Sequence, residues 1–484
     1  MKNIKNLALL TDFYEFTMMQ GYFFNTPDKK AVFEMFFRHH PFNGGYTIFA
    51  GLEPLLDEII SLKFTEDDIR YLRRQEVFKE EFLNYLLSFR FQGDIYAVKE
   101  GTVVFPNEPL IRVEGNMMEC QLIESLLLNF INFQSLIATK SARIVNMSGD
   151  GIVLEFGLRR AQGIDGALSA ARSAFIGGVN ATSNTLGGYI HDIPVSGTMA
   201  HSWVMAFESE LESFEKYAEL YPHKTVLLVD TYDTLKSGIP NAIAVFKKME
   251  YKGLLGLKAI RLDSGDLDYL SKRAREMLDL SGLLDVKIVV SSDLDEQIIE
   301  HLKQRKAPID IWGVGTRLIT GFRDPYLPGV YKIVAKSCDN GYVPCIKISN
   351  QLEKMSNPGI KNVLRFYDEN DQMLADLICF ESELSLLEEM IKEHKPIRFN
   401  HPSQPYSHFI LENYAGKELL LEKVMMEGKK IHEPVSLNVI KDYRACQLTS
   451  LDYTYRRLLN PHLYKVSLSS DLKKCKDELM AKIR

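Results

Sequence analysis

The sequence predicts an α/β chain built around an irregular (β/α) barrel, joined to an additional α/β (α+β) domain and a C-terminal extension. The first observation is an alternation of short apolar runs and amphipathic helical stretches: "GIVLEF", "TVLLVDTY", "NAIAVFKKME", "LKAIRLDSGD", "LDYLSKRAREMLDL", "VKIVVSSDLD", "EQIIEHLKQR" and "IDIWGVGTR". Strands separated by helices of this length form βαβ units and a parallel sheet. The second is that each strand-like run ends in a chemically loaded tail. Glu155, Arg159 and Arg160 follow the first, and Asp230 and Asp233 the second. Arg261, Asp263, Ser264 and Asp266 close the third; Ser292, Asp293 and Asp295 the fourth; Gly313, Gly315, Thr316 and Arg317 the last. In a barrel these carboxyl ends converge on one face, where such folds place their sites. An open doubly wound sheet gathers ligands around one switch point instead. Five loaded ends favour the ring, and the shortage of evident strands makes it irregular or incomplete.

The flanks read differently. From about residue 90 to 115, "FQGDIYAVKEGTVVFPNEPLIRVEG" alternates apolar and polar residues around Gly101, Pro106, Pro109 and Gly115, as a small antiparallel unit does. "MMECQLIESLLLNFINFQSLIATKSARIV" then repeats at helical spacing without a breaker and predicts a long, largely buried helical segment. The pattern changes near residue 135. An N-terminal α/β domain is therefore expected over 1–135, completed by part of 340–400, with the barrel over 136–335. Residues 336–484 are expected to pack on both, with strand-turn patterns in "CDNGYVPCIKISN" and "VLRFYDENDQMLADLICF". Ser469 or Ser470 is placed to cap a terminal helix.

Composition limits the function classes. With 484 residues the chain has room for two or three domains, and 46% hydrophobic with 25% charged residues is an ordinary globular balance. A net charge of −6 argues against a nucleic-acid binder, which needs a broad basic face for counterion release. An anion would be held by a few aimed cations. Cys120, Cys338, Cys345, Cys379, Cys446 and Cys475 show no CxxC pair or regular framework and read as reduced thiols. The N-terminal run "MKNIKNLALLTDFYEF" is too short for a signal peptide and soon meets Asp12 and Glu15. No segment is long and apolar enough to span a bilayer. A cytoplasmic protein without nucleic-acid or membrane partners is the expectation.

The loaded ends suggest chemistry. "VLEFGLRRAQGIDGALSAARSAFIGG" presents Phe156, a glycine, Arg159 and Arg160 at a strand end: an aromatic face for a flat ring, and guanidinium forks for a carboxylate or phosphate. In "RLDSGD", Arg261 suits an anion and Ser264 with Gly265 offers a hydroxyl and backbone N–H groups to a phosphate. Asp263 and Asp266, with Asp293, are candidates for Mg²⁺ or sugar hydroxyls, although DSGD is also what a capped βα turn looks like. "GVGTR" is a second phosphate-like loop, with Thr316 at the expected helix start. Asp230 and Asp233 are not adjacent, which separates "TVLLVDTYDTLKSG" from the paired-acid phosphoribosyl-pyrophosphate loop of Rossmann-like transferases; they stay as structural or Mg²⁺ candidates. His201, in "GTMAHSWV", has no cysteine or second histidine nearby, and such a histidine is ordinarily a core or cap residue.

Taken in order, "LLTDFYEFTM", "GYTIFAGLEPLL", "EFGLRRAQG", "SGTMAHSWV", "LLVDTYDTL", "RLDSGD", "SSDLDE", "GVGTRL" and the C-terminal "NPHLYKVSLSSDL" resemble the nicotinate phosphoribosyltransferase family, the nicotinic-acid salvage enzymes of NAD synthesis. The resemblance covers nearly the whole chain. It implies an α/β domain joined to an irregular barrel, and a reaction of nicotinate with phosphoribosyl pyrophosphate (PRPP) giving nicotinate mononucleotide and pyrophosphate, coupled to ATP hydrolysis with Mg²⁺. By the same resemblance His201 is the histidine phosphorylated by ATP, with Arg261 and Asp263 as its catalytic companions. Tyr14 and Phe156 would stack on the two faces of the pyridine ring, Tyr14 reaching in from the partner of a homodimer whose active site lies at the subunit interface. Thr198 and Arg261, with Arg159, would contact nicotinate, and Gly313, Gly315 and Thr316 the sugar 5-phosphate.

Substrate choice turns on "NATSN". A related nicotinamide-using family carries an aspartate where Ser183 aligns, and a carboxylate there would repel nicotinate. Nicotinamide phosphoribosyltransferase and a non-catalytic nucleotide-binding barrel are the alternatives; quinolinate phosphoribosyltransferase, typically shorter, is more distant. Lys140 and Arg143, in "ATKSARIV", could add positive charge near the phosphates or lie on the surface.

Overall fold

The computed structural model describes residues 6–349, 355–402, 404 and 406–483. The N-terminal run weighed as a leader begins in residues 1–5, outside the described residues. The chain divides into two compact units, one formed by Met1–Leu136 with Tyr326–Arg484 and the other by Ile137–Pro325.

The 137–325 unit holds six strands: β1 (Ile152–Glu155), β2 (Ala181–Thr182), β3 (Lys224–Leu228), β4 (Leu257–Leu262), β5 (Lys287–Ser292) and β6 (Ile311–Val314). They form one parallel sheet in the order β2-β1-β6-β5-β4-β3. Runs such as KIVVSS in β5 and KTVLL in β3 become strands because Val, Ile and Leu fill both faces of a covered parallel sheet, and their central residues are buried. The helices that cover it are α1 (Gly163–Ile176), α2 (Thr185–His191), α3 (His201–Met205), α4 (Glu210–Leu220), α5 (Ile239–Tyr251), α6 (Leu267–Leu280), α7 (Glu296–Gln304) and α8 (Thr316–Ile319).

Among the described residues β2 and β3 are the edges of the sheet and do not pair with each other, so the barrel is a half-barrel rather than a ring. Its interior still has barrel character. Leu154, Ala181, Val226, Ala259, Val289 and Ile311, one from each strand, form a single apolar layer with Phe156 packed against it. Each buried Leu, Val or Ile of that layer contributes roughly 1.5–3 kcal/mol.

Several acids of the loaded tails are helix starters. Asp266 caps α6 by accepting from Tyr269 N at 3.1 Å, and Asp295 caps α7 by accepting from Gln297 N at 3.1 Å and Ile298 N at 2.9 Å. Asp233 accepts from Leu235 N and Lys236 N in the same way. Lys140 and Arg143 do not lie on the surface. Both are buried and paired with the buried Glu296, Lys140 Nζ at 2.7 Å and Arg143 Nε at 3.2 Å. Removing one partner would strand a charge in an apolar setting, so these residues hold α7 in place.

Among the described residues the other unit carries three further sheets, the smallest a two-stranded antiparallel pair of Thr47–Ile48 with Val103–Val104. The seven-stranded one runs Gly341–Pro344, Gly329–Cys338, Lys30–Phe37, Ile111–Asn116, Asp94–Ala97, Glu422–Met426, Lys429–Lys430, all antiparallel. Asp94–Ala97 and Ile111–Asn116 are the antiparallel pair that the 90–115 pattern announces. The six-stranded one is mixed, with Met373–Phe380 parallel to Val466–Leu468 and the remaining pairs antiparallel. The helical run over 117–145 is divided at Ile123 into Met117–Leu122 and Glu124–Ser148. Ser469, not Ser470, caps the terminal helix, accepting from Leu472 N at 3.2 Å.

Candidate active site

A cavity of about 550 Å³ opens over the carboxyl ends of the half-barrel strands, and its lining comes from the 137–325 unit. Phe156, Arg159, Ser183, Thr198, His201, Arg261, Asp263, Asp293, Gly313, Gly315 and Thr316 all line it, although 160 residues separate the first from the last. A parallel sheet brings them together because every one of its strands ends at the same edge.

Arg261 is the hub. It sits near the end of β4, where the strand passes from buried to half-buried positions, and its side chain is 13% exposed. Nε donates to Ser291 Oγ at 2.8 Å, Nη1 to Thr198 Oγ1 at 2.8 Å and Nη2 to Asp263 Oδ1 at 2.7 Å. The guanidinium carbon lies 5.6 Å from the Phe156 ring centroid. A cation fixed on three sides beside an aromatic plate offers a pre-ordered seat to a flat ring carrying a carboxylate. Burial pushes the Asp263 carboxyl up, but the Ser291 hydroxyl, the Arg261 guanidinium and nearby His201 outweigh it and hold it below the usual carboxylate value. Asp263 is therefore anionic near neutral pH.

His201 opens α3 with its side chain 41% exposed. Its Nδ1 lies 3.1 Å from Thr231 Oγ1, and its Nε2 lies 3.7 Å from Asp263 Oδ2. Asp230 braces the loop beneath, its Oδ2 accepting from Asp263 N at 2.9 Å and from Ser264 Oγ at 2.6 Å. The Ser264 hydroxyl expected on a phosphate is thus engaged with Asp230. Gly265, with φ +81°, borders a neighbouring cavity together with Asp266, Arg305 and Arg317.

The glycines of "GVGTR" have a steric reason. A Cβ on Gly313 would meet the Phe156 ring at 2.7 Å, and one on Gly315 would meet Phe156 O at 2.9 Å. Both positions are small so that Phe156 can occupy the strand ends. Beneath it Glu155 is buried, its carboxyl pushed up by burial, and it accepts from Thr182 Oγ1 and Gly157 N. Its carbonyl accepts from Ser183 N at 2.8 Å, which ties the Ser183 loop to β1. Arg159 and Arg160 project from the exposed turn Leu158–Arg160.

The structure does not gather Asp263, Asp266 and Asp293 into one metal centre. Asp266 is committed to its cap, and no cluster of three or more His, Cys, Asp or Glu suited to a metal occurs among the described residues. Tyr14 belongs to the other unit, on the helix Phe13–Asn25, where it is 48% exposed. Partial burial, with Glu124 and Glu15 nearby, pushes its phenol up to about 12. Residues that sequence reasoning passed over are Ser291 and Thr231. Ser291 stood inside a tail where its neighbours Ser292, Asp293 and Asp295 drew notice instead, and Thr231 sat between the two candidate acids Asp230 and Asp233.

Fold and cavity together define a half-barrel α/β protein with a cation, a carboxylate and a histidine set around an aromatic face at the carboxyl ends of its strands. Comparison with known proteins gives the family. The N-terminal domain of nicotinate phosphoribosyltransferase (NAPRTase) matches residues 9–132, the NAPRTase family core matches 152–371 and the C-terminal domain matches 360–476. The nicotinate phosphoribosyltransferase of Bacillus subtilis (strain 168) is 45% identical over 469 residues, covering 96% of this chain and 94% of that protein. That of Caenorhabditis elegans is 36% identical over 526 residues, 96% of this chain and 92% of its own. The crystal structure of human nicotinic acid phosphoribosyltransferase matches with a TM-score of 0.81 at 26% identity, covering 97% and 99% of the two chains. A nicotinate-nucleotide pyrophosphorylase from Pyrococcus furiosus, at 20% identity and a TM-score of 0.67 over 93% and 97%, shares the fold. The chain belongs to the nicotinate phosphoribosyltransferase family. Among the described residues no helix is long and apolar enough to cross a membrane.

Proposed function

We propose that this chain is a nicotinate phosphoribosyltransferase of NAD salvage, transferring the phosphoribosyl group of PRPP to nicotinate with ATP hydrolysis coupled through His201. The observation that carries the reading is Arg261, gripped by Ser291, Thr198 and Asp263 beside the Phe156 ring, in the same cavity as His201. The nicotinate ring stacks on Phe156, and its carboxylate is drawn to Arg261 and Thr198, with Arg159 at the rim. Ser183 presents a hydroxyl where a carboxylate would repel that substrate, which favours the acid over the amide.

The sugar 5-phosphate lies along Gly313, Gly315 and Thr316. The pyridine nitrogen forms the new bond to the anomeric carbon as the bond to pyrophosphate breaks, and the electron pair departs with pyrophosphate. The transition state is cation-like, so catalysis rests on stabilising the leaving pyrophosphate more than on activating the ring nitrogen. His201, phosphorylated by ATP, supplies the coupling.

The residues fit a phosphate-borne Mg²⁺ rather than a protein cage. Asp230 Oδ1 is buried without a hydrogen-bond partner, and Asp293 faces the cavity. Those two carboxylates and water would hold the ion, the Asp263 oxygens being turned to Arg261, Ser291 and His201, and it would supply charge neutralisation on the phosphates. Tyr14 closes the second face of the ring from another copy of the chain in a homodimer.

The test is product formation from labelled nicotinate or nicotinamide with PRPP and Mg²⁺, with and without ATP, for the native protein and His201→Ala. Nicotinate turnover stimulated by ATP in the native protein alone is expected. Turnover of nicotinamide instead would refute the reading of Ser183, and ATP stimulation that survives His201→Ala would refute the phosphohistidine.

A further inference from the structure

His201 is approached at both ring nitrogens, and one of the two approaching groups has no part in the reaction as described. Nδ1 meets Thr231 Oγ1 at 3.1 Å; Nε2 faces Asp263 Oδ2 at 3.7 Å. The two groups are not independent. Asp230, adjacent to Thr231, accepts from the backbone N–H of Asp263 at 2.9 Å and from the Ser264 hydroxyl at 2.6 Å. The tail of β3 therefore sets the hydroxyl on one side of the imidazole and, through Asp230, the carboxylate on the other.

The chemistry of the two groups is unequal. An ionised carboxylate only accepts, whereas a hydroxyl donates or accepts. Asp263 also receives Arg261 and Ser291 on its Oδ1, so its Oδ2 is the oxygen turned to the ring. At 3.7 Å it is too far for a direct hydrogen bond but close enough for its charge to favour a proton on Nε2. The nitrogen left with a lone pair is Nδ1, and the Thr231 hydroxyl donates to it.

We infer that Thr231 is a positioning residue for His201: its hydroxyl holds the Nε2–H tautomer and so selects Nδ1 as the nitrogen that is phosphorylated. This rests on the phosphohistidine reading above. The Nδ1 lone pair forms the N–P bond to the γ-phosphorus of ATP, the bond from that phosphorus to the β,γ-bridging oxygen breaks, and its electron pair leaves with ADP. Nε2 keeps its proton, and the positive charge gained by the ring faces Asp263. The Thr231 hydroxyl, released from Nδ1, turns to an oxygen of the transferred phosphoryl group. The opposite tautomer would aim the reactive lone pair at Asp263 and bring a triphosphate alongside a carboxylate, a like-charge encounter.

The test pairs a resting-state readout with a chemical one. Long-range proton–nitrogen NMR of histidine-labelled protein reads the tautomer, with His201→Ala identifying the signal among eleven histidines. Phosphoenzyme formation from γ-labelled ATP reads the rate. Thr231→Val keeps the shape and removes the hydroxyl, Thr231→Ala is a second hydroxyl-free variant should the first not fold, and Thr231→Ser restores the hydroxyl. The native protein and Thr231→Ser are expected to show the Nε2–H tautomer and similar rates. The hydroxyl-free variants are expected to show mixed tautomers and a phosphorylation rate lower by roughly tenfold, the scale of one lost hydrogen bond, with the KM for ATP unchanged. A native phosphoenzyme whose tautomer and rate survive loss of the hydroxyl overturns the role of Thr231 alone. No labelled phosphoenzyme in the native protein overturns the phosphohistidine reading, and this role with it.

Discussion

The Phe156 ring stands where the side chain of any larger residue at position 313 would be, and Gly313→Ala turns that closeness into a measurable loss. The added Cβ would meet Cδ2 and Cε2 of the ring at 2.7 Å and Ser291 Cβ at 3.3 Å. Carbon atoms rest about 3.5–4.0 Å apart, so the ring must shift by about 1 Å. It has little room to do so, since it packs on the apolar layer and its own carbonyl closes on Gly315. Gly313 is not among the positive-φ residues, so alanine suits the backbone and the effect is confined to the ring. Overpacking of this kind costs about 1–3 kcal/mol, and a displacement of about 1 Å in a positioning group costs up to roughly a hundredfold in rate. The kcat/KM for nicotinate in Gly313→Ala is expected to fall by about 10- to 100-fold in a steady-state assay with saturating PRPP and ATP. Phe156→Leu added to that variant should recover part of the lost stability, read as Tm, by vacating the space. Native nicotinate kinetics in Gly313→Ala would show that the ring does not seat the substrate.

Two more outcomes follow from the other unit. Burial, only partly offset by the Thr11 and Ser125 hydroxyls, pushes Glu15 up to about 7, against about 4.3 in an unfolded chain. Between those values the unfolded state has lost a proton that the folded state keeps, so this group lowers stability as pH rises from about 4 to about 7 and adds no further change above. Glu15→Gln should therefore raise Tm increasingly across that window and by a constant amount beyond it; a pH-independent difference would contradict the assignment. Tyr14→Ala and His201→Ala proteins, each weakly active, should recover activity when mixed and allowed to exchange subunits, because one of the two sites then receives both residues. No recovery in a sample shown to contain mixed dimers would rule out a Tyr14 donated by a second copy.

The half-barrel strands were readable in proportion to their length. β3, β4 and β5 run for five or six residues around an apolar centre, and β1 and β6 for four. β2 has two residues, Ala181 and Thr182, and no periodicity can mark so short a strand. The shortage of strands already pointed to an incomplete ring, but where it opens, between β2 and β3, depends on strand tilt and stagger summed over the whole sheet. The acids show the same limit at the level of chemistry. Asp263 and Asp266 stand three residues apart with the same functional group, yet one faces Arg261 and His201 while the other caps α6. Lys140 and Arg143 look like solvent-facing cations in the text and prove to be buried partners of Glu296, 153 residues beyond Arg143.

Local order in the chain was enough to specify strands, helices and the edge on which the polar tails would collect, because periodicity, capping and turn chemistry act over a few neighbouring residues. Family membership was likewise written in the succession of motifs. Which tail residues face the cavity, and which brace it, depended on contacts between distant segments. Thr231 gains its meaning from His201, thirty residues away, and Gly313 from a ring 157 positions earlier. Such pairings depend on how the strands are ordered and how closely their ends approach, distances that no single segment of the chain carries.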